Sequence, residues 1–349
     1  MVANIMVAKL AKKISLTKLA KTAYENKKRL VSPLVGFPGC DLLNISLKVA
    51  QQNHRVHYNC VEELVNQLKP DLAFMIMDLS VEANALGLPV RFPIHESSSV
   101  EHHPIESLDD LKAYSRINIL QDARIQSYIK TVEMMSLGLP RNTLRGAYII
   151  GPLTLAGLLE SAQRVAMDSI LDPHRLETIC EFSTSIIQEY ANALVNAGAD
   201  VICILEPTGA ILGPDQFRKF STKYVKQIIE SYKYSRVDSI YHVCGNTMHL
   251  LEPMAEAGVG ALSIDSPETG VDMAKAAQIV PENITLIGNV NPTAVMKDGS
   301  TDLVRQVTTD LLEKMRPYPN FILSTGCDLP PGTPLENMKM FMHTGRNFQ

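Results

Sequence analysis

This chain is short of cysteine, of net positive charge and of long apolar runs, and each shortage removes a class of protein. Its six cysteines (Cys40, Cys60, Cys180, Cys203, Cys244 and Cys327) are scattered through 349 residues and form no C-x-x-C pair. That spacing excludes the dense disulfide framework of a small secreted domain and favours free thiols or metal ligands in a reducing compartment. A formal net charge of −4 excludes a nucleic-acid binder that relies on neutralising phosphates. The uncharged run Gly146–Leu159 contains Pro152 and falls short of the roughly 18 apolar residues that a membrane span needs. Lysines at 9, 12 and 13 interrupt the N-terminus where a signal peptide needs an apolar core, so residues 1–29 read as a basic amphipathic helical extension. A cytoplasmic protein with no membrane or nucleic-acid partner is expected. No low-complexity linker divides the chain, so 1–349 reads as a single domain.

What the chain does have is a rhythm of short apolar runs separated by helical patterns. The runs are Leu30–Gly36, Leu72–Asp78, Arg145–Gly151, Asp200–Glu206, Ser239–Cys244, Ala261–Asp265, Thr285–Val290 and Phe321–Cys327. Most are continuous rather than alternating, as in "DVICILE" and "FILSTG", which suits parallel strands buried on both faces. Between them, "RLETICEFSTSIIQEYANALVNAG" repeats its apolar residues at three and four and closes on Gly198. Eight such units predict an α/β fold, a (β/α)8 TIM barrel with an N-terminal helical extension and an insertion after strand 2. The long connection, residues 79–144, reads as an insertion or lid on the catalytic face. In "TPLE" (333–336), Thr333 is expected to cap a helix that has Pro334 in its first turn and Glu336 closing a capping box.

Strand ends gather the chemistry. Residues two apart on a strand project to one side, so His242 and Cys244 in "HVCGN" share a face. A further cysteine, Cys327, ends the last strand. Three soft or borderline donors at strand ends suit a zinc site with one open position, the arrangement of catalytic rather than structural zinc. The plain alternative for an isolated strand cysteine is a small buried hydrophobe, and Cys180 and Cys203 are read that way. Asn246, Asn289 and Asn291 also fall at strand ends, where they either bind substrate or fix the loops. His249 on a helix and the adjacent pair His102 and His103 are not expected to bind metal. Met273, Met296, Met315, Met338, Met340 and Met342 read as core filler.

The segments "MDLSVEANALG" (77–87), "GPLTLAGLL" (151–159), "GADVICILEPTGAILGPDQFRKF" (198–220), "HVCGNTMHLLEPMAEAGVGALSID" (242–265), "GNVNP" (288–292) and "STGCDLPPGTPLENMKMF" (324–341) together resemble the uroporphyrinogen decarboxylase superfamily. The resemblance is greatest to its methyltransferase branch, the methylcobamide:coenzyme M methyltransferases and related corrinoid-dependent enzymes. It implies one Zn2+ per chain on His242, Cys244 and Cys327, with Asp265 first and Glu206 second as candidate fourth ligand. Either carboxylate could equally hydrogen-bond a zinc-bound His242.

The implied reaction moves a methyl group from a methylcorrinoid, carried by a separate corrinoid protein, to a thiol such as coenzyme M. The alternatives are a pterin acceptor such as tetrahydrofolate, a decarboxylase that needs no metal, and a corrinoid- or tetrapyrrole-binding protein without catalysis. The Arg-rich N-terminal segment with which true decarboxylases grip carboxylates is replaced here by "RLVSPLVGFPGCDLLN", which disfavours decarboxylation. Asp78 falls where those enzymes keep a pyrrole-binding aspartate. With Glu206, Asn246 and Asn289 it completes the set of expected substrate-binding residues.

Overall fold

The computed structural model describes residues 13–94 and 96–348. The strands are β1 (Leu72–Phe74), β2 (Val90–Arg91), β3 (Ser99–Val100), β4 (Leu144–Ile150), β5 (Val201–Leu205), β6 (Asp238–Val243), β7 (Ala261–Ile264), β8 (Thr285–Val290) and β9 (Phe321–Thr325). Seven of them form one parallel sheet in the order β1-β4-β5-β6-β7-β8-β9, and β2 and β3 make a separate antiparallel pair. With a helical segment after almost every barrel strand, the fold is the expected TIM barrel.

The eighth stave departs from expectation. Residues 30–36 do not form a strand; Val31 makes a single parallel bridge to Leu323. The reason is local. Pro33 has no N–H to give a ladder, and side chains replace backbone partners on both sides of the segment. Val31 N donates to Asp71 Oδ2 at 2.7 Å, Ser32 Oγ donates to Leu72 O at 2.8 Å, and Leu34 N donates to Thr325 Oγ1 at 3.1 Å. Backbone bonds also reach both neighbours, from Leu323 N to Leu30 O and from Asp71 N to Val31 O. The segment therefore closes the gap between β1 and β9 without being a strand. Four strands, β1, β5, β7 and β9, are shorter than expected, β1 the most. Past Phe74 the chain leaves the ladder, where Ile76 N donates to His57 Nε2 at 2.7 Å. Past Thr325, Gly326 N donates to Val290 O.

Residues 1–12 of the N-terminal extension lie outside the described residues. The helix Leu16–Glu25, capped by Ser15, crosses the bottom of the barrel. Leu16 N donates to Asp238 Oδ2 at the start of β6, and Thr285 Oγ1 at the start of β8 donates to Thr17 Oγ1 at 3.0 Å. The open face is thus the opposite one, where strands end. Residues 79–144 contain the helix Val81–Ala85, the β2–β3 pair, and the helix Ala123–Gly138 that leads into β4.

The helix Pro173–Asn196 starts on an Asp172 cap, and Gly198 just past it has φ +103°, a conformation that glycine adopts without a Cβ clash. The expected capping box at 333–336 does not form. Thr333 Oγ1 donates instead to Pro330 O at 2.7 Å, and the helix begins at Leu335 with Pro334 as its cap. Cys180, Cys203, Met273, Met296, Met315, Met338 and Met342 are buried in the core, with Met340 packed against it.

Candidate metal centre

The ligand layer is set by strand register. Leu205 pairs with His242 and His242 with Ser263, so these side chains share one layer facing the barrel axis. His242 is buried, and Cys244 follows β6 by one residue, half-buried at the mouth. Gly245 then turns the chain at φ +91°. From the far side, Gly326 brings Cys327 back to the same point.

His242 Nε2 lies 3.0 Å from Cys244 Sγ and 3.8 Å from Cys327 Sγ, and the two sulfurs are 3.5 Å apart. Among the described residues these three form the one group of His, Cys, Asp and Glu donors close enough to hold a metal ion. Tetrahedral zinc with Zn–S near 2.3 Å and Zn–N near 2.0–2.1 Å requires donor separations of roughly 3.6–3.8 Å. Two of the three edges meet that within a few tenths of an ångström. The His242–Cys244 edge needs only to open slightly, so the residues fit the ion.

The electrostatics of the triad follow from these contacts. Hydrogen bonding to Cys244, together with burial, pushes the Cys327 thiol well above its ordinary pKa. Burial pulls the His242 imidazole down, but Cys327 and the Asp265 carboxylate outweigh it and the net shift is upward. On its other side His242 Nδ1 lies 3.0 Å from Ser263 Oγ.

The remaining expected site residues fall in four different places. Asp265 stays outside the metal-sized cluster. Its Oδ2 accepts from Gly245 N at 2.7 Å and its Oδ1 from Ser266 N at 2.6 Å. Glu206 follows Leu205, which faces the axis, so it points outward into the helical layer. There Thr154 N and Leu153 N at the start of the helix Pro152–Glu160, and the hydroxyls of Thr154 and Ser221, all donate to it. Burial raises its pKa to about 7 despite those donors.

Asn289 Nδ2 donates to Asp265 O at 2.8 Å, tying β8 to the metal face, and Asn291 Oδ1 caps the turn Pro292–Lys297. Asn246 is an exposed turn residue whose Oδ1 accepts from Met248 N. Asp78 is buried and accepts from six donors. Ser80 N, Ser80 Oγ and Ser98 Oγ reach its Oδ1; Gln51 Nε2, Tyr128 Oη and Arg124 reach its Oδ2. Burial alone would raise its pKa, yet Arg124 and these donors hold it below the usual carboxylate range. His249 bonds Leu212 O and His103 bonds Leu158 O, both away from the triad.

Three buried polar groups, two of them electrostatically tied to the triad, were not singled out by sequence reasoning. Tyr148 Oη, Ser324 Oγ and Asp328 Oδ2 are buried without a hydrogen-bond partner. Tyr148 feels the charges of Asp328 and Cys327, and Asp328 feels that of His242. Burial raises the Asp328 carboxyl to about 7. Position gave a partial signal, since Ser324 and Asp328 bracket Cys327 in "STGCD". Tyr148 in mid-strand gave none.

A barrel with donors converging at its strand ends defines an enzyme-like architecture, and sequence comparison specifies the family. Residues 42–348 match the uroporphyrinogen decarboxylase (URO-D) family, and the chain belongs to it. The methylcobamide:CoM methyltransferase MtbA of Methanosarcina mazei is 27% identical over 278 residues, 78% of each chain. The methylcobamide:CoM methyltransferase MtaA of Methanosarcina barkeri is 29% identical, over 64% of this chain and 63% of that one. A uroporphyrinogen decarboxylase of Synechococcus sp. is 26% identical over 86% of this chain and 85% of its own length. In fold, a methyltransferase structure from Methanosarcina mazei superposes with a TM-score of 0.83 at 24% identity, covering 95% of this chain and 98% of that one. Among the described residues no helix is long and apolar enough to cross a membrane.

Proposed function

We propose that the protein is a zinc-dependent methyltransferase that moves a methyl group from a methylcorrinoid, presented by a separate corrinoid protein, to a small thiol such as coenzyme M. The observation that carries this reading is the convergence of His242, Cys244 and Cys327 at the barrel mouth, with every pair of donors within 4 Å. When bound, zinc holds the acceptor sulfur as a thiolate at neutral pH and leaves one position for it. His242 with a neutral ring and two cysteine thiolates cancel the ion's charge. With His242, Cys244 and Cys327 holding the ion, the chemistry it would supply is to keep an acceptor thiolate electron-rich. Transfer forms a carbon–sulfur bond and breaks the cobalt–carbon bond, the electron pair of which remains on cobalt as Co(I).

The chain's own residues bind and orient. The buried, unpartnered Tyr148 Oη, Ser324 Oγ and Asp328 Oδ2 offer hydrogen bonds to the polar part of an acceptor. Residues 79–144 are the segment proposed to dock the corrinoid partner. Decarboxylation is the weaker reading. Asp78, the residue that would meet a pyrrole, already accepts from six groups of this chain.

Metal analysis of the purified protein tests the proposal. The expectation is about one zinc per chain, lost from Cys327→Ser with the far-ultraviolet circular dichroism unchanged. A metal-free protein that still demethylates methylcobalamin with a thiol overturns it.

A further inference from the structure

At the closed end of the barrel, where β9 begins with Phe321, a cavity of about 340 Å3 is lined by Tyr24, Lys27, Lys28, Arg29, Arg316 and Phe348. Four of these are cations, two are aromatic and none is acidic. Three helix ends bring them together. The helix Leu16–Glu25 stops at Asn26, and Lys27 turns the chain at φ +56°, the left-handed conformation common just past a helix end. Arg316 follows the helix Thr301–Lys314, and Phe348 follows the helix Leu335–Asn347.

Cations near helix C-termini ordinarily serve the terminal carbonyls. Arg29 does so: Nη1 donates to Tyr318 O at 2.6 Å, and Nη2 donates to Met315 O at 2.9 Å and Arg316 O at 3.1 Å. Lys27 and Lys28 do not. Backbone N–H groups of Asn26, Lys27 and Lys28 already take the carbonyls of Thr22, Ala23 and Tyr24. Among the described residues neither lysine side chain has a hydrogen bond or an ion pair. Arg29 is 7% exposed and lies over the rings of Tyr24 at 4.6 Å and Phe321 at 5.8 Å, and no carboxylate among the described residues pairs with it. Burial, with the charge of Arg316 in the same sense, holds its pKa below the ordinary value. Arg316 itself is paired with Glu313 at 2.7 and 2.9 Å and lies 4.6 Å over the Phe348 ring.

We infer that this cavity binds a nucleotide, with its phosphates on Lys27 and Lys28 in the field of Arg29 and its base against Tyr24 and Phe348. Three cations without an ion pair call for an anion of more than one charge. Two aromatic rings, in a volume at the lower end of the ~300–1,000 Å3 of small-ligand sites, call for a flat apolar group attached to that anion. Inorganic phosphate or pyrophosphate would leave both rings unused. A nucleoside diphosphate has both parts. The site stands at the opposite end of the barrel from the metal centre and does not depend on it.

Isothermal titration of the full chain with ADP and, separately, with pyrophosphate tests this. ADP should bind saturably and about ten-fold more tightly than pyrophosphate, the difference being the stacked base. Lys27→Ala combined with Lys28→Ala, both exposed and so without effect on the far-ultraviolet circular dichroism, should weaken ADP by about ten-fold. Phe348→Ala should weaken ADP by about five-fold or more and leave pyrophosphate binding unchanged.

A wild type with no saturable ADP binding at millimolar concentration overturns the inference. So does ADP binding in the double lysine variant within about two-fold of wild type, which would place the nucleotide elsewhere. Pyrophosphate binding as tightly as ADP overturns the nucleotide as the ligand class.

Discussion

The sulfurs of Cys244 and Cys327 lie 3.5 Å apart although 83 residues separate them and two strands, β7 and β8, stand between their own. Barrel curvature makes that meeting possible, and Gly326 permits it locally. A Cβ on residue 326 would sit 2.4 Å from Ser266 N and 2.9 Å from Ser266 Cα, backbone atoms of the turn after β7. Gly326→Ala should therefore push the β9 end away from the β7 end and carry Cys327 with it. The expected outcome is at least ten-fold weaker zinc binding with a stability loss of about 1–3 kcal/mol, as in overpacked cores. Chelator competition and urea unfolding on one preparation check both.

Asp78 and Arg124 form a buried ion pair, with side chains 0% and 5% exposed. Removing Arg124 leaves the buried Asp78 carboxylate with neutral donors but no countercharge. Arg124→Ala should thus cost about 3–5 kcal/mol, read as a lower urea midpoint. The pH dependence has a definite sign. Because the folded pKa of Asp78 is depressed, its contribution is present above the unfolded value near 3.9 and is lost as pH falls through the folded value. Asp78→Asn should resist acid relative to its own neutral stability more than wild type does.

Glu82 and Glu206 behave in the opposite sense. Burial is the leading cause that raises each to about 7. Between the unfolded value near 4.3 and pH 7 the folded state binds more protons, so stability is greatest below this window and falls as pH rises through it. The slope is at most about 1.4 kcal/mol per pH unit for each group. Glu82→Gln keeps an acceptor for Ile150 N, which now bonds Glu82 Oε1 at 2.8 Å. Urea titrations at several pH values should show this variant with a shallower decline than wild type from pH 5 to 7.

The candidate ligands were legible because strand periodicity is simple. Residues two apart share a face, so His242 and Cys244 were paired by counting, and the turn-forming "GCD" marked Cys327 as a strand end. The same rule, applied one residue beyond Leu205, would have sent Glu206 to the helical layer, where it lies. Continuous apolar strands hide which face is inward, and only the register with His242 reveals it.

The eighth stave was legible as apolar chain but not in its bonding. Asp71 and Thr325 supply side-chain acceptors from distant parts of the sequence, Ser32 within the segment reaches out to Leu72 O, and Pro33 prevents the regular ladder. Asp78 was found by resemblance. Its six donors come from Gln51, Ser80, Ser98, Arg124 and Tyr128, and only Ser80 lies beside it in sequence.

The central claim is metal-dependent methyl transfer to sulfur. Its most direct test mixes the zinc-loaded protein with methylcobalamin and coenzyme M and follows the absorption spectrum for Co(I). Demethylation that disappears on chelation, returns with zinc and is absent in Cys327→Ser is the predicted result. Demethylation at an unchanged rate in chelated protein and in Cys327→Ser would contradict the account.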